Sequence, residues 1–209
     1  LPKWEITDEW TIYRITEWRP TITVDHMNTK LGRFFSRKLR HRGIKPLVAT
    51  SGIGQIGFYS KLRLVDLLGL VDPVVARSPF RPDAMTGHQK YASEEYLRER
   101  GVDIIRSNRF CMDAYNEITK LNFGTLKTNN WCIFQYNPKL WKKVRAKSPE
   151  ISFIDFSDYL DNYLVVIDEK DPGQVTRDLS FFDRYYFDKH PDYRREAIKQ
   201  QAQGYTALP

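Results

Sequence analysis

PLVATSGIGQIGFYSKLRLVDLLGLVD, residues 46–72, sets two short apolar runs on either side of a glycine-rich turn. Leu47-Val48-Ala49 reads as one buried strand and Leu64-Val65-Asp66-Leu67-Leu68 as the next, each of a length that suits a sheet interior. Gly52, Gly54 and Gly57 between them match G-x-G-x-x-G behind a predicted strand. That fingerprint needs a full helix after the turn, with pyrophosphate on its N-terminus, and an acidic residue about 20 residues further on. Only Phe58 to Arg63 separate the last glycine from the next apolar run, under two helical turns at about 3.6 residues each. Asp66 also arrives early. The expectation is therefore a strand-turn-strand corner, whose glycines let backbones pack closely, and not a nucleotide site.

Upstream, Val24, Met27, Leu31, Phe34 or Phe35, and Leu39 recur at helical spacing, and Gly43 supplies a stop. This predicts an amphipathic helix with a basic outer face. Before it, Trp10-Thr11-Ile12-Tyr13-Arg14-Ile15 alternates as a strand does, and Pro20 marks a break. Downstream, Asp72-Pro73 opens an irregular stretch through Ser78-Pro79-Phe80-Arg81-Pro82-Asp83. Ser93 to Arg100 reads as a helix capped by Ser93 and ended by Gly101, and Val102 to Ile105 as a third strand. Strand, loop, helix and strand at this spacing suit a βαβ unit.

The later sequence gives a strand at Trp131–Tyr136, a basic helix at Pro138–Ala146, a further strand at Ile151–Ile154, and Tyr159, Leu160 and Tyr163 at helical spacing. Asp168-Glu169-Lys170-Asp171-Pro172-Gly173 reads as a linker. Beyond it, Leu179, Phe182, Tyr185 and Tyr186 fit one helix, and Tyr193, Ala197 and Ile198 a second. The predicted class is α/β: a small mixed, largely parallel sheet flanked by helices, with a C-terminal helical appendage. The predicted division is an α/β domain over 1–167 and a linker with helical segment over 168–209.

A chain of 209 residues with 41% hydrophobic and 28% charged residues has enough apolar surface for a core. No run approaches 18 apolar residues, and Leu1 to Trp18, broken by Lys3, Glu5, Asp8, Glu9 and Arg14, does not read as a signal peptide. The net charge is +7, and much of the excess lies in Lys30, Arg33, Arg37, Lys38, Arg40, Arg42 and Lys45, with no acid among them. Zinc-finger spacing and RNP-type aromatic motifs are missing, so nucleic acid is not an expected partner. The anionic head groups of a membrane surface are one candidate, set against a merely solvated helix face.

Asp66, Asp72, Asp83, His88 and Lys90 form the best polar constellation: a lysine as point charge and carboxylates as acceptors suit a phosphate or sugar hydroxyls. The bland reading is that Asp72 caps a turn and His88 bonds within its own loop. Trp131, Tyr136 and Trp141 suit stacking on sugar rings or, alternatively, core packing. Asp155, Asp158 and Asp161 lack the glycine turn and terminal glutamate of a calcium loop and read as a solvated helix face. Cys111 and Cys132 are compatible with one disulfide, but spacing alone does not pair them. No metal spacing and no G-x-S-x-G elbow occur.

The segments G-x-I-G-F-Y-S (from Gly54), L-V-D-L-L-G-L-V-D-P (from Leu64), Ala76-Arg77, Gly87-His88-x-Lys90, Glu95-Tyr96-Leu97 and Gly101-Val102-Asp103 together resemble a known family. They look like the C-terminal soluble region of bacterial GT-C type membrane glycosyltransferases, including arabinofuranosyltransferase-like and mannosyltransferase-like members. The similarity covers about residues 30 to 106. It departs from the pattern at Phe58, often Tyr, at Lys61, often Gly, and at Gln89, which replaces Glu. The resemblance implies an extracytoplasmic (periplasmic) domain at the cell membrane, with membrane spans preceding Leu1. It implies that the catalytic carboxylate lies elsewhere in the full protein and that no cofactor belongs to this domain. A polyprenyl-phosphate sugar would be the full protein's donor; the partners would be its own membrane domain and a glycan or polysaccharide acceptor. Ligand contacts would then fall to Tyr59, Asp66, Asp72, His88, Lys90, Trp131 and Trp141, without catalysis. The alternative is a self-contained α/β enzyme acting on a phosphorylated or sugar-like ligand through Asp66, Asp72, His88 and Lys90.

Overall fold

A computed structural model describes residues 27–82, 84 and 88–204. The chain folds as two compact units, the first ending at Arg100 and the second starting at Gly101. The strand expected at Trp10–Ile15 and the residues after Gly204 lie outside the described residues.

The first unit begins with α1, Met27–Lys38, which buries Leu31, Phe34 and Phe35 and has no acid in its first turn. Lys30, Arg33 and Arg37 are exposed, so the predicted basic outer face is present. A 3-10 turn, Arg40–Arg42, follows, and Gly43 stops it at φ +75°, its N–H donating to the Arg40 carbonyl. The chain then enters β1, Val48–Thr50, whose residues are all buried.

The glycine run departs from the expected corner. It forms α2, Ile53–Ser60, and the next strand, β2, Leu64–Asp66, pairs parallel to β1 with Val48 opposite Leu64 and Thr50 opposite Asp66. The helix starts at Ile53, ahead of Gly54 and Gly57, which gives eight residues for a crossover and makes a βαβ unit. Glycine is a poor helix residue, at about 1 kcal/mol against alanine, so tertiary packing has to offset it. Ile56 is wholly buried, and a Cβ on Gly32 of α1 would sit 2.9 Å from Tyr59 Cβ and 3.1 Å from the Gln55 and Ile56 carbonyl oxygens. The missing side chain at Gly32 lets α1 and α2 approach.

Beyond β2 the chain turns at Gly69 (φ +79°), where a Cβ would come 2.6 Å from the Ala76 nitrogen, and enters the short α3, Pro73–Ala76. Ala92 N–H donates to the Leu67 carbonyl at 3.0 Å and returns the chain to the end of β2. Helix α4, Glu94–Arg100, starts as predicted, with the Ser93 hydroxyl accepting from Tyr96 N–H at 3.2 Å.

In the second unit β3, Ile104–Arg106, pairs antiparallel to β4, Trp131–Ile133, with Ile105 opposite Cys132. Two short helices, α5 (Asn108–Cys111) and α6 (Asn116–Thr119), lie between them in sequence. Helix α7, Pro138–Lys147, is capped by Asn137 with proline in its first turn, as its sequence predicts. Ile151–Ile154 is not a strand; only Ser152 bridges to Asn122. Helix α8, Phe156–Val165, follows directly.

The segment expected as a linker is ordered structure. Ile167–Glu169 forms a 3-10 turn, and Asp171 caps α9, Pro172–Phe182, by accepting from Gln174 N–H at 2.9 Å. Asp-Pro-Gly is turn chemistry and helix-start chemistry at once; here Val175, Phe181 and Phe182 bury their side chains and select the helix. The division expected after residue 167 therefore falls inside the second unit. A π-helical segment, Asp183–Phe187, continues α9, and α10, Tyr193–Gly204, completes the unit. Helix α10 buries Arg194 and Ile198 and leaves Tyr193 81% exposed, so its inner face is not the expected Tyr193 and Ala197 one.

The core of this unit is aromatic. Phe156 lies 4.9 Å from Tyr185, 5.3 Å from Phe182 and 5.5 Å from Tyr186, mostly edge to face. The fold class is α/β, as the sequence predicts: parallel and antiparallel strand pairs, flanking helices and helices at the C-terminal end.

Candidate functional site

Strand β2 delivers Asp66 to the start of the loop over 67–72, and the backbone of that loop consumes it. Asp66 is 1% exposed; its Oδ1 accepts from Leu68 N–H at 3.0 Å and its Oδ2 from Val71 N–H at 2.9 Å. Asp72 caps α3: Oδ1 accepts from the N–H groups of Val74 and Val75, and Oδ2 from the Tyr96 hydroxyl at 2.7 Å. Burial, then the Asp72 carboxylate, pushes the Tyr96 hydroxyl above its ordinary pKa, so it stays a donor.

Lys90 Nζ donates to the Ser78 carbonyl at 2.6 Å and lies 5.9 Å from the Phe80 ring centre. His88 is exposed, and its carbonyl accepts from Arg81 Nη2 at 3.1 Å. Asp83 lies outside the described residues. Asp66, Asp72, His88 and Lys90 of the predicted constellation are thus loop ties, bonded to backbone or to a nearby side chain. Sequence reasoning missed Tyr96 and Arg81, which complete those ties; the signal was a tyrosine one turn into a helix otherwise charged on its exposed side.

The surface of this unit has another character. Leu70 and Val71 are 73% and 69% exposed, and Val74, Phe80 and Phe58 are also open. Cations accompany them: Lys61 Nζ stands 4.2 Å from the Phe58 ring centre, and the Arg33 guanidinium 5.0 Å from that of Tyr59. Tyr59, expected to meet a ligand, therefore lies under a cation from the basic face of α1.

In the second unit the tryptophans are core. Trp141 is wholly buried against Phe153 at 4.8 Å, and Trp131 is 2% exposed and edge-on to Phe123 at 5.7 Å, so neither offers a ring face to a sugar. Cys111 and Cys132 form a disulfide joining the end of α5 to β4, closing a loop separated by 21 residues. Asp155, Asp158 and Asp161 are not a plain solvated face. Asp155 caps α8 and pairs with Arg145 at 2.7 Å, Asp158 pairs with the same arginine, and Asp161 lies 2.8 Å from Arg194.

A further buried carboxylate is one the sequence did not single out. Asp178 is 5% exposed and accepts from the Tyr115 hydroxyl (3.1 Å), the Tyr163 hydroxyl (2.9 Å) and Gln174 Nε2 (2.5 Å). Burial and Asp178 together push Tyr115 up to about 12 and raise Tyr163 further. Tyr115 also stacks on Phe181 at 4.0 Å. This is a structural hub, with its acceptors filled.

Beside the disulfide lies a cleft of 340 Å³, lined by Met112, Asn116, Lys120, Thr128, Asn129 and Asn130 among others. Among the described residues no cluster of His, Cys, Asp and Glu could hold a metal ion, and no helix is long and apolar enough to cross a membrane.

No curated protein and no solved structure matches the chain. The profile of one family matches residues 16–197, taking in nearly all of both units. The chain therefore belongs to the family described as the domain of unknown function DUF8728.

Proposed function

We propose that this chain is the extracytoplasmic lobe of a membrane glycosyltransferase that uses a polyprenyl-phosphate sugar. It performs no chemistry alone. Its first unit seats on the enzyme's own membrane domain and on anionic lipid head groups, and the lobe helps to bind the glycan acceptor.

One observation carries this reading: the segment 66–74 turns the Asp66 and Asp72 carboxylates inward to backbone N–H groups and leaves Leu70, Val71 and Val74 exposed, in the unit that bears the basic face of α1. Exposed apolar clusters of this kind mark interaction surfaces, and each Lys or Arg near an anionic bilayer contributes about 1 kcal/mol. The Cys111–Cys132 disulfide supports an oxidising compartment.

Two measurements test it. The chain floats with vesicles of phosphatidylglycerol and phosphatidylcholine but not with phosphatidylcholine alone, and the triple change Lys30→Glu, Arg33→Glu, Arg37→Glu abolishes flotation. Membranes containing the native gene product transfer sugar from a polyprenyl-phosphate donor, while the isolated chain turns over neither that donor nor nucleotides and sugar phosphates. Turnover by the isolated chain that disappears in Asp66→Ala or His88→Ala would overturn the reading in favour of a self-contained enzyme.

A further inference from the structure

The cleft beside the disulfide has a polar chemistry of its own. Among the described residues its lining carries uncharged hydrogen-bonding side chains, Asn116, Asn129, Asn130 and Thr128, with Lys120 as the single charge and no carboxylate. The Thr128 hydroxyl oxygen is buried and makes no hydrogen bond within the described structure. A hydroxyl left in that state is costly, and a ligand oxygen or N–H that meets it removes the cost. Asn130 holds a left-handed backbone (φ 66°), and its carbonyl accepts from Ser107 N–H at 2.9 Å, which fixes the residue just before β4. The disulfide ties the α5 side of the cleft to β4, so its two sides are covalently joined. A volume of 340 Å³ is at the small end of the ~300–1,000 Å³ typical of small-molecule sites.

We infer that this cleft is a binding subsite for one ring of a neutral glycan. Amides supply both donors and acceptors, which matches a ring of hydroxyls that are themselves both. The carboxylate-free rim gives no attraction to cations, and one lysine falls short of the arginine or multiple donors that hold phosphate tightly. The apolar part of the lining includes Met112, which is 64% exposed and open to the C–H face of a sugar. The assignment rests on the glycan-acceptor reading for the kind of ligand offered, but the cleft's chemistry stands without it.

The test is an amide chemical-shift titration of the 15N-labelled chain with an arabinofuranose trisaccharide, a mannose trisaccharide and, separately, inorganic phosphate. One trisaccharide is expected to move the amides of residues 128–131 saturably, and phosphate not to move them. Thr128→Val keeps shape and removes the unmet hydroxyl; it is expected to fold at least as stably as the parent and to bind the trisaccharide at least tenfold more weakly, with Asn129→Ala as a second variant of the same sign. Undiminished binding by both variants, or saturable phosphate binding without sugar binding, overturns the subsite. Sugar binding confined to other residues overturns the subsite while leaving the glycan-acceptor reading intact. Sugar binding nowhere on the chain overturns the subsite and the acceptor role together, and leaves membrane seating to the flotation measurement.

Discussion

The two units satisfy their buried polar groups in opposite ways. In the first, Asp66 and Asp72 bond N–H groups two to five residues away, and the Ser60 hydroxyl accepts from Leu62 N–H. Apart from the Tyr96 hydroxyl, which reaches Asp72 across 24 residues, such bonds are local and shape one turn at a time. In the second, Asp178 reaches Tyr115 across 63 residues, and Arg194 reaches the Ser157 carbonyl across 37 and Asp161 across 33. Those bonds form only when distant helices have docked. The first unit uses Asp66 and Asp72 to build loops and leaves its outer surface cationic and apolar; the second uses its buried charges, Asp178 and Arg194, to hold helices together.

The comparison breaks most visibly at Asp178. Asp178→Ala leaves one buried and one half-buried tyrosine hydroxyl without their acceptor and is expected to destabilise the second unit by about 3 kcal/mol, measured by urea unfolding followed through near-ultraviolet aromatic signals. Asp178→Asn should recover part of that loss, because the amide oxygen still accepts. An effect below about 1 kcal/mol for the alanine variant would remove Asp178 from its place as hub.

A smaller effect is expected at Asp72, where the cap and the Tyr96 bond go together. Asp72→Ala should cost about 2 kcal/mol, with the loss confined to the first unit in hydrogen exchange at residues 72–76. Equal protection loss in both units would show that the local character assigned to this cap is mistaken.

Acid gives the smallest effect and sharpens the contrast. Burial, then Lys139, holds His190 below its ordinary 6.5, so the unfolded chain binds the extra proton first and stability declines as pH falls below about 6.5. Arg194 holds Asp192 below its ordinary 3.8, and the stability this contributes is present above that value and is lost as pH falls through the folded value. The urea midpoint of the second unit should therefore drop between pH 7.5 and 5.5, and His190→Gln should flatten that step. A drop of the same size in the variant would assign the step to another group.

How much of this was legible follows from range. The 3.6-residue recurrence through Leu31, Phe34 and Phe35, the Gly43 stop, the Ser93 cap and Asn137-Pro138 all work within a few residues, and each was read from sequence at nearly its true position. The glycine run misled because counting from Gly57 leaves under two turns, whereas the helix starts at Ile53 and takes Gly54 and Gly57 into itself, with the space at Gly32 supplied by another helix. Asp171-Pro172-Gly173 reads as a turn until Val175, Phe181 and Phe182 find a core. The candidate site fared similarly: the residue types around Asp66, Asp72 and Lys90 were picked out, but their bonding to backbone was not, since one carboxylate serves a cap or a ligand equally well on paper.

The sequence by itself determined the α/β class, the order of most helices and strands and the cationic face of α1, because periodicity, caps and charge runs act along the chain over one or two turns. The tertiary structure alone decided that Cys111 meets Cys132, that Trp131 and Trp141 are core, that Asp178 gathers two tyrosines and that Thr128 borders a cleft. These depend on which distant surfaces meet, and the energy of burying them is realised only once they do.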